Sequence, residues 1–142
     1  MSEQNKTLVR RVFDEVYNAG NLAAVDQLAA SDFVIYMPSQ EIRGRAGTKQ
    51  YVSALRTGFP DIHFTIEDQV SEGDRVVTRW IASGTHTGDF QGIPPTGKQV
   101  RLTGTDIDRI ANGKAVECWS HVDELGMMQQ LGVIPTAEPA AD

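Results

Sequence analysis

The stretch VRLTGTDIDRIANGKAVECWSHV, Val100–Val122, decides how this chain is read. Asn112-Gly113 near its centre is the dipeptide that a tight two-residue turn requires, because both central positions take positive φ. On either side, apolar and β-branched residues alternate with polar ones. Val100–Ile110 and Ala115–Val122 therefore read as the arms of an antiparallel hairpin. Side chains alternate along a strand. Glu117, Trp119, His121 and Asp123 then share one face, and Val116, Cys118, Ser120 and Val122 the other. With a simple turn, Ala111 faces Lys114, Asp106 faces Trp119 and Gly104 faces His121. That register gathers Asp106, Trp119, His121 and Asp123 on one patch. A single extra residue in either arm would flip some of these assignments.

The two-residue period continues upstream. Arg75–Thr87 reads as a long strand entered through the turn Glu72-Gly73-Asp74. Ile62, Phe64 and Ile66 alternate as the strand before it, and Gly88–Lys98, with Pro94-Pro95, is a loop. The middle hairpin puts Trp80 on the side of Asp106. Nearer the N-terminus the period lengthens. Leu8, Val9, Val12, Phe13, Val16 and Tyr17 form one apolar helical face, capped by Ser2 and stopped by Gly20. Asn21 caps a short helix with Leu22, Val25 and Leu28. Phe33–Met37 is a strand ending before Pro38, and Arg45–Gly58 is a third helix with Tyr51, Val52 and Leu55 inward. Asp123 caps a last helix running through Leu131 to Gly132. The order predicts an α+β fold, helices on one face of a bent antiparallel sheet whose concave side encloses a pocket. No repeat or linker divides the chain. Residues 1–134 are expected to form one domain, and 135–142 a frayed tail.

The 142 residues carry 13 basic and 19 acidic side chains, a net charge of −6, which argues against a nucleic-acid partner. No apolar run suits a membrane span, and the polar N-terminus lacks the apolar stretch of a signal peptide. One cysteine, Cys118, precludes an intrachain disulfide and fits a cytoplasmic location. The three histidines lack metal-ligand spacing, and no phosphate loop or nucleophile elbow is present. No metal site is therefore expected. Two carboxylates and an imidazole beside indole rings suit acid–base work, since partial burial moves a carboxyl toward the operating pH. The same residues also have plain structural readings: Asp123 as a helix cap, His121 as an edge-strand residue, Tyr17 and Tyr51 as packing.

Several motifs together carry a resemblance. They are FPDIH (Phe59–His63), GDRVVTRW (Gly73–Trp80), GTHTG (Gly84–Gly88), GIPPTG (Gly92–Gly97), NGKAVECW (Asn112–Trp119), and Asp123 followed by QQLG (Gln129–Gly132). From the first helix to Gly132 the chain resembles the SnoaL-like polyketide cyclases, or ester cyclases, of the nuclear transport factor 2-like superfamily. The resemblance implies a cone of helices on a bent sheet and cofactor-free catalysis. In that family an aspartate at the end of the last strand removes a proton from an activated carbon, and an intramolecular aldol condensation closes a ring. Asp123 stands at that position, and His121 matches an assisting histidine. Asp106 falls where members often carry histidine, and Cys118 where many have histidine in a Glu-His-Trp run. The resemblance further implies a small hydrophobic or polyketide-like substrate bound by Trp80, Trp119, Tyr17 and Tyr51, and a homodimer or higher homo-oligomer. Competing readings are an epoxide hydrolase, isomerase or dehydratase using Asp106 with Asp123, or a non-catalytic ligand-binding protein.

Overall fold

The structure is a computed structural model and describes residues 2–135. The tail expected to fray lies outside the described residues beyond Pro135. Helix α1 (Ser2–Arg11) begins with Ser2 inside its first turn and runs without a break into a π-helical segment, Val12–Asn18. Its apolar stripe buries Val9, Phe13 and Val16. Gly20, at φ +70°, ends it. A 3-10 turn (Leu22–Ala24) leads into α2 (Val25–Leu28). Asn21 precedes that turn without a side-chain capping bond. Then follow β1 (Ala29–Tyr36), the three-residue β2 (Glu41–Arg43) and α3 (Gly44–Gly58), which buries Val52 and Leu55 as its spacing predicts. Strand β2 was not anticipated, because three residues carry no readable period.

The second half is a meander of β3 (His63–Glu72), β4 (Arg75–Thr85), β5 (Gln99–Ala111) and β6 (Lys114–Val122), closed by α4 (Glu124–Leu131). The six strands lie in the order β2-β1-β6-β5-β4-β3. Every pairing is antiparallel except β1 with β6, which is parallel. The wholly antiparallel expectation is corrected there: β1 is separated from β6 by a helix and the whole meander, and returns beside it as a crossover rather than a hairpin. The turn at Asn112-Gly113 is as read, with φ +53° and +73°, and Ala111 pairs with Lys114. A register shift between Ile66 and Asp68 leaves Glu67 as an extra residue, which bends β3. The sheet curls around α1, the π-helical segment and α3, and Val52, Phe59, Val76 and Ala82 are completely buried between the layers. No helix among the described residues is long and apolar enough to cross a membrane.

Strand β4 ends at Thr85, two residues earlier than the alternation suggests, because His86 turns into the core. Its Nδ1 accepts the Thr96 N–H at 3.2 Å and lies 3.0 Å from Thr96 Oγ1. The backbone N–H of His86 donates to Lys98 O, and Gly97 N–H donates to His86 O. The GTHTG and GIPPTG motifs thus fasten the two ends of one loop. Gly88 donates its N–H to Gly58 O, and a Cβ there would stand 2.0 Å from Thr57 O. Backbone cannot yield as a side chain tip does, so Gly88→Ala is expected to cost about 1–3 kcal/mol in chemical denaturation. A wild-type midpoint would show that the loop does not need this approach.

Candidate functional site

The site follows from a bulge in β6. Ile110 pairs with Ala115, but Arg109 pairs with Glu117, so Val116 is an extra residue with no partner. Beyond it the alternation is inverted. Asp106 lies opposite Ser120, Thr105 opposite His121, Ile107 opposite Trp119 and Gly104 opposite Val122. The expected pairings of Asp106 with Trp119 and Gly104 with His121 are therefore corrected by one residue. The concave face receives Ala115, Cys118, Ser120 and Val122, and Trp119 and His121 fall on the outer face.

The proposed patch is thus split. Trp119 stacks on Tyr36, with ring centroids 5.7 Å apart, and Arg75 Cζ sits 5.1 Å from its centroid. His121 is exposed. Asp123 is also exposed, and its Oδ1 accepts the Gly126 N–H at 2.9 Å as the N-cap of α4. None of these three lines the interior. Asp106, Trp80, Tyr17 and Tyr51 do. Sequence reasoning missed Asp108, Cys118 and Ser120 as lining residues. Asp-x-Asp inside a long strand was the available signal, since aspartate is depleted in strands.

Two adjoining chambers of about 40 Å³ each lie between the helices and the sheet. Phe13, Tyr17, Ile35, Asp106 and Cys118 belong to both. The first is walled by Val9, Val16, Leu28 and Phe33 and reaches Asp108. The second is walled by Tyr51, Phe64, Trp80 and Leu102 and reaches Ser120. Aromatic rings run in series between them: Tyr17 to Phe64 at 5.2 Å, Phe64 to Trp80 at 5.0 Å. No basic side chain lines either chamber among the described residues.

Asp106 is held through one oxygen. Its Oδ1 accepts Trp80 Nε1–H at 3.1 Å and Ser120 Oγ–H at 2.7 Å. Trp80 reaches it by lying across β5 at Gly104, where a Cβ would stand 2.3 Å from the indole. Burial raises the Asp106 pKa, and the bonds from Trp80 and Ser120 oppose that rise. Asp108, two residues along the same face, is buried. Burial and then the neighbouring Asp106 push it up to about 8. Burial, followed by the adjacent carboxyls, keeps the Cys118 thiol protonated, and burial does the same for the Tyr17 hydroxyl. One carboxyl oxygen of Asp106, one of Asp108 and Cys118 Sγ lie within 4.8 Å of one another. Burial favours the protonated forms of Asp108 and Cys118, so a cation would have to displace those protons to bind here.

The sign of the pH effect follows. Asp108 is raised above its unfolded value of about 3.9, so its contribution to stability is full below that value and is lost as pH rises through about 8. Stability is expected to fall between about pH 5 and pH 8, with a slope approaching 1.4 kcal/mol per pH unit. Asp108→Asn should flatten that slope in urea melts run across the range. An unchanged slope would mean that Asp108 is ionised in the folded protein.

The description "SnoaL-like polyketide cyclase" belongs to the family model that matches residues 7–131. Similar solved structures include a candidate SnoaL-like polyketide cyclase from Jannaschia sp. CCS1, 27% identical, covering 94% of this chain and 95% of that one, with a TM-score of 0.87. IdmH, a candidate polyketide cyclase from Streptomyces antibioticus, is 32% identical over 91% of this chain and 99% of its own, with a TM-score of 0.79. A candidate polyketide cyclase from Acidithiobacillus ferrooxidans is 32% identical over 92% and 95%, with a TM-score of 0.81. No curated protein sequence matches the chain significantly.

Proposed function

Since this chain belongs to the SnoaL-like polyketide cyclase family, we propose that it closes a ring in a polyketide-like small molecule by an intramolecular aldol reaction, with Asp106 as the general base. The observation that carries this reading is a carboxylate in a closed, aromatic-walled interior, anchored through Oδ1 by Trp80 and Ser120. The Cys118 thiol is a third hydrogen-bond partner of this carboxyl. Burial brings its pKa toward neutrality, which makes it a better proton acceptor at working pH than an exposed carboxylate. The rim aspartate, Asp123, is engaged as a helix cap, which supports placing the base on Asp106 instead.

In the reaction Asp106 removes a proton from a carbon beside a carbonyl, and the C–H electron pair becomes an enolate. The enolate carbon attacks a second carbonyl of the same molecule, and a C–C bond forms. The new alkoxide takes the proton back from Asp106. Nothing is oxidised or reduced. Trp80, Tyr17 and Tyr51 supply the faces against which a folded substrate is held in its ring-closing conformer. The chambers hold only a few waters as they stand, whereas small-molecule pockets run to roughly 300–1,000 Å³. Binding therefore has to part the walls. The π-helical segment supplies Phe13 and Tyr17 to both chambers, and its i→i+5 bonding, as in Ala19 N–H to Asp14 O, marks it as the wall able to adjust.

Asp106→Asn is expected to lower turnover of a linear polyketide β-keto ester by about 10²–10⁴-fold with the fold intact by circular dichroism. Turnover at the wild-type rate would remove Asp106 from the reaction. The same loss in Asp123→Asn alone would move the base to the rim. The pair of interior carboxyls also suits activation of water on an epoxide, and solvent ¹⁸O appearing in the product would favour that hydrolase over ring closure.

A further inference from the structure

The two interior carboxyls are not equivalent. Asp106 receives two hydrogen bonds from neutral donors, Trp80 Nε1–H and Ser120 Oγ–H, and donors of that kind favour the ionised form. The Asp108 carboxyl has only the Cys118 thiol as a hydrogen-bond partner, a weak donor that it shares with Asp106. It faces the apolar wall of Val9, Val16 and Leu28 in the first chamber. The titratable groups around the pair are Cys118 from β6, Tyr17 from the π-helical segment, Tyr51 from α3 and, from the outer face of β6, His121. Among the described residues no basic side chain enters the chambers to stabilise a second negative charge. Two carboxyls this close cannot both ionise cheaply, and their surroundings decide which one keeps the proton.

We propose that Asp108 is a second catalytic residue, a carboxylic acid that keeps its proton and donates it as a hydrogen bond to the substrate carbonyl while Asp106 takes the proton from the adjacent carbon. This rests on the ring-closing reading above and names the electrophilic half of that site. As the C–H bond breaks, charge develops on the carbonyl oxygen, and the Asp108 O–H bonds to it more strongly than in the ground state. Asp108 keeps its proton throughout, and the proton that Asp106 removed goes to the alkoxide formed on ring closure. The substrate class narrows accordingly. The site takes an uncharged ketone or ester that presents a carbonyl oxygen between the two carboxyls, and it rejects a free carboxylate.

The proton's position is read in the free protein, without any substrate. Isotope-edited infrared spectra of ¹³C-aspartate-labelled protein at about pH 6, well above the ordinary aspartate range, are expected to show a protonated-carboxyl C=O band. That band should disappear in Asp108→Asn and remain in Asp106→Asn. Absence of the band in the wild type, or its loss in Asp106→Asn with retention in Asp108→Asn, would overturn the assignment. If Asp108→Asn fails to fold, a ¹³C NMR titration of the wild-type aspartate carboxyls decides the same point. The role is read separately, on a β-keto ester that the wild type cyclises. Asp108→Val should lower kcat at least tenfold, and Asp108→Asn, which keeps a donor, should recover part of it. An unchanged kcat in Asp108→Val would leave Asp108 a structural acid and refute the catalytic role. Failure of the cyclase reading shows itself differently, as absence of turnover by the wild type, and leaves the infrared result standing.

Discussion

Burying Asp106 and Asp108 on one face of β5 places two acidic groups where water has little access and where no lysine or arginine lines the chambers among the described residues. An isolated ionised carboxylate in such a place is costly, so the surroundings must either hydrogen-bond it or keep it neutral. Much of the local structure follows from that requirement. Ser120 must face inward to donate to Asp106, which fixes the register of β6. Trp80 must reach across β5, which requires the bare backbone of Gly104 beneath its ring. The helices then seal both groups behind Phe13, Tyr17 and Tyr51, and that seal gives a carboxyl its usefulness near neutral pH.

Much of the fold was legible because it is written in local periods and punctuation. The helical face from Leu8 to Tyr17, the Asn112-Gly113 turn and the capping by Asp123 each depend on a few neighbouring residues. The meander follows from alternation and short turns. The parallel contact of β1 with β6 was not legible, since it joins strands separated by most of the chain. The candidate site was legible only in part. Trp80 and Asp106 are neighbours as their parity suggested, and Tyr17 and Tyr51 line the interior. Trp119 and His121 reversed sides because counting from a turn assumes equal numbers of residues in both arms, and Val116 breaks that equality. A bulge has no reliable signature in a single sequence, and its effect extends to every residue beyond it.

The loop motifs that carried the resemblance do a different job from the chemistry. His86 and Thr96 tie the ends of the loop together, and Gly88 lets the loop lie against the end of α3. These are requirements of the scaffold, and a fold can keep them while the interior changes its reaction. Asp106 and Cys118, where the resemblance leads one to expect histidine, lie in the interior cluster itself. Resemblance and site geometry therefore inform different levels: the first describes the container, the second what it can do.

The unpaired Val116 also bears on how relatives of this chain can be compared. Its deletion would leave Ala115 opposite Ile110 and Glu117 opposite Arg109, so Cys118 and Ser120 would stay inside and Trp119 and His121 outside. The length of the strand would change and the lining would not. Pairing Val116 with Arg109 instead, with no change in length, would slip the strand by one residue and turn Trp119 and His121 inward in place of Cys118 and Ser120. Two lineages of equal length can thus carry unlike linings, and two of unequal length the same one. Residue roles cannot be transferred between such lineages by sequence position alone, because an offset of one here separates the interior of the protein from its surface.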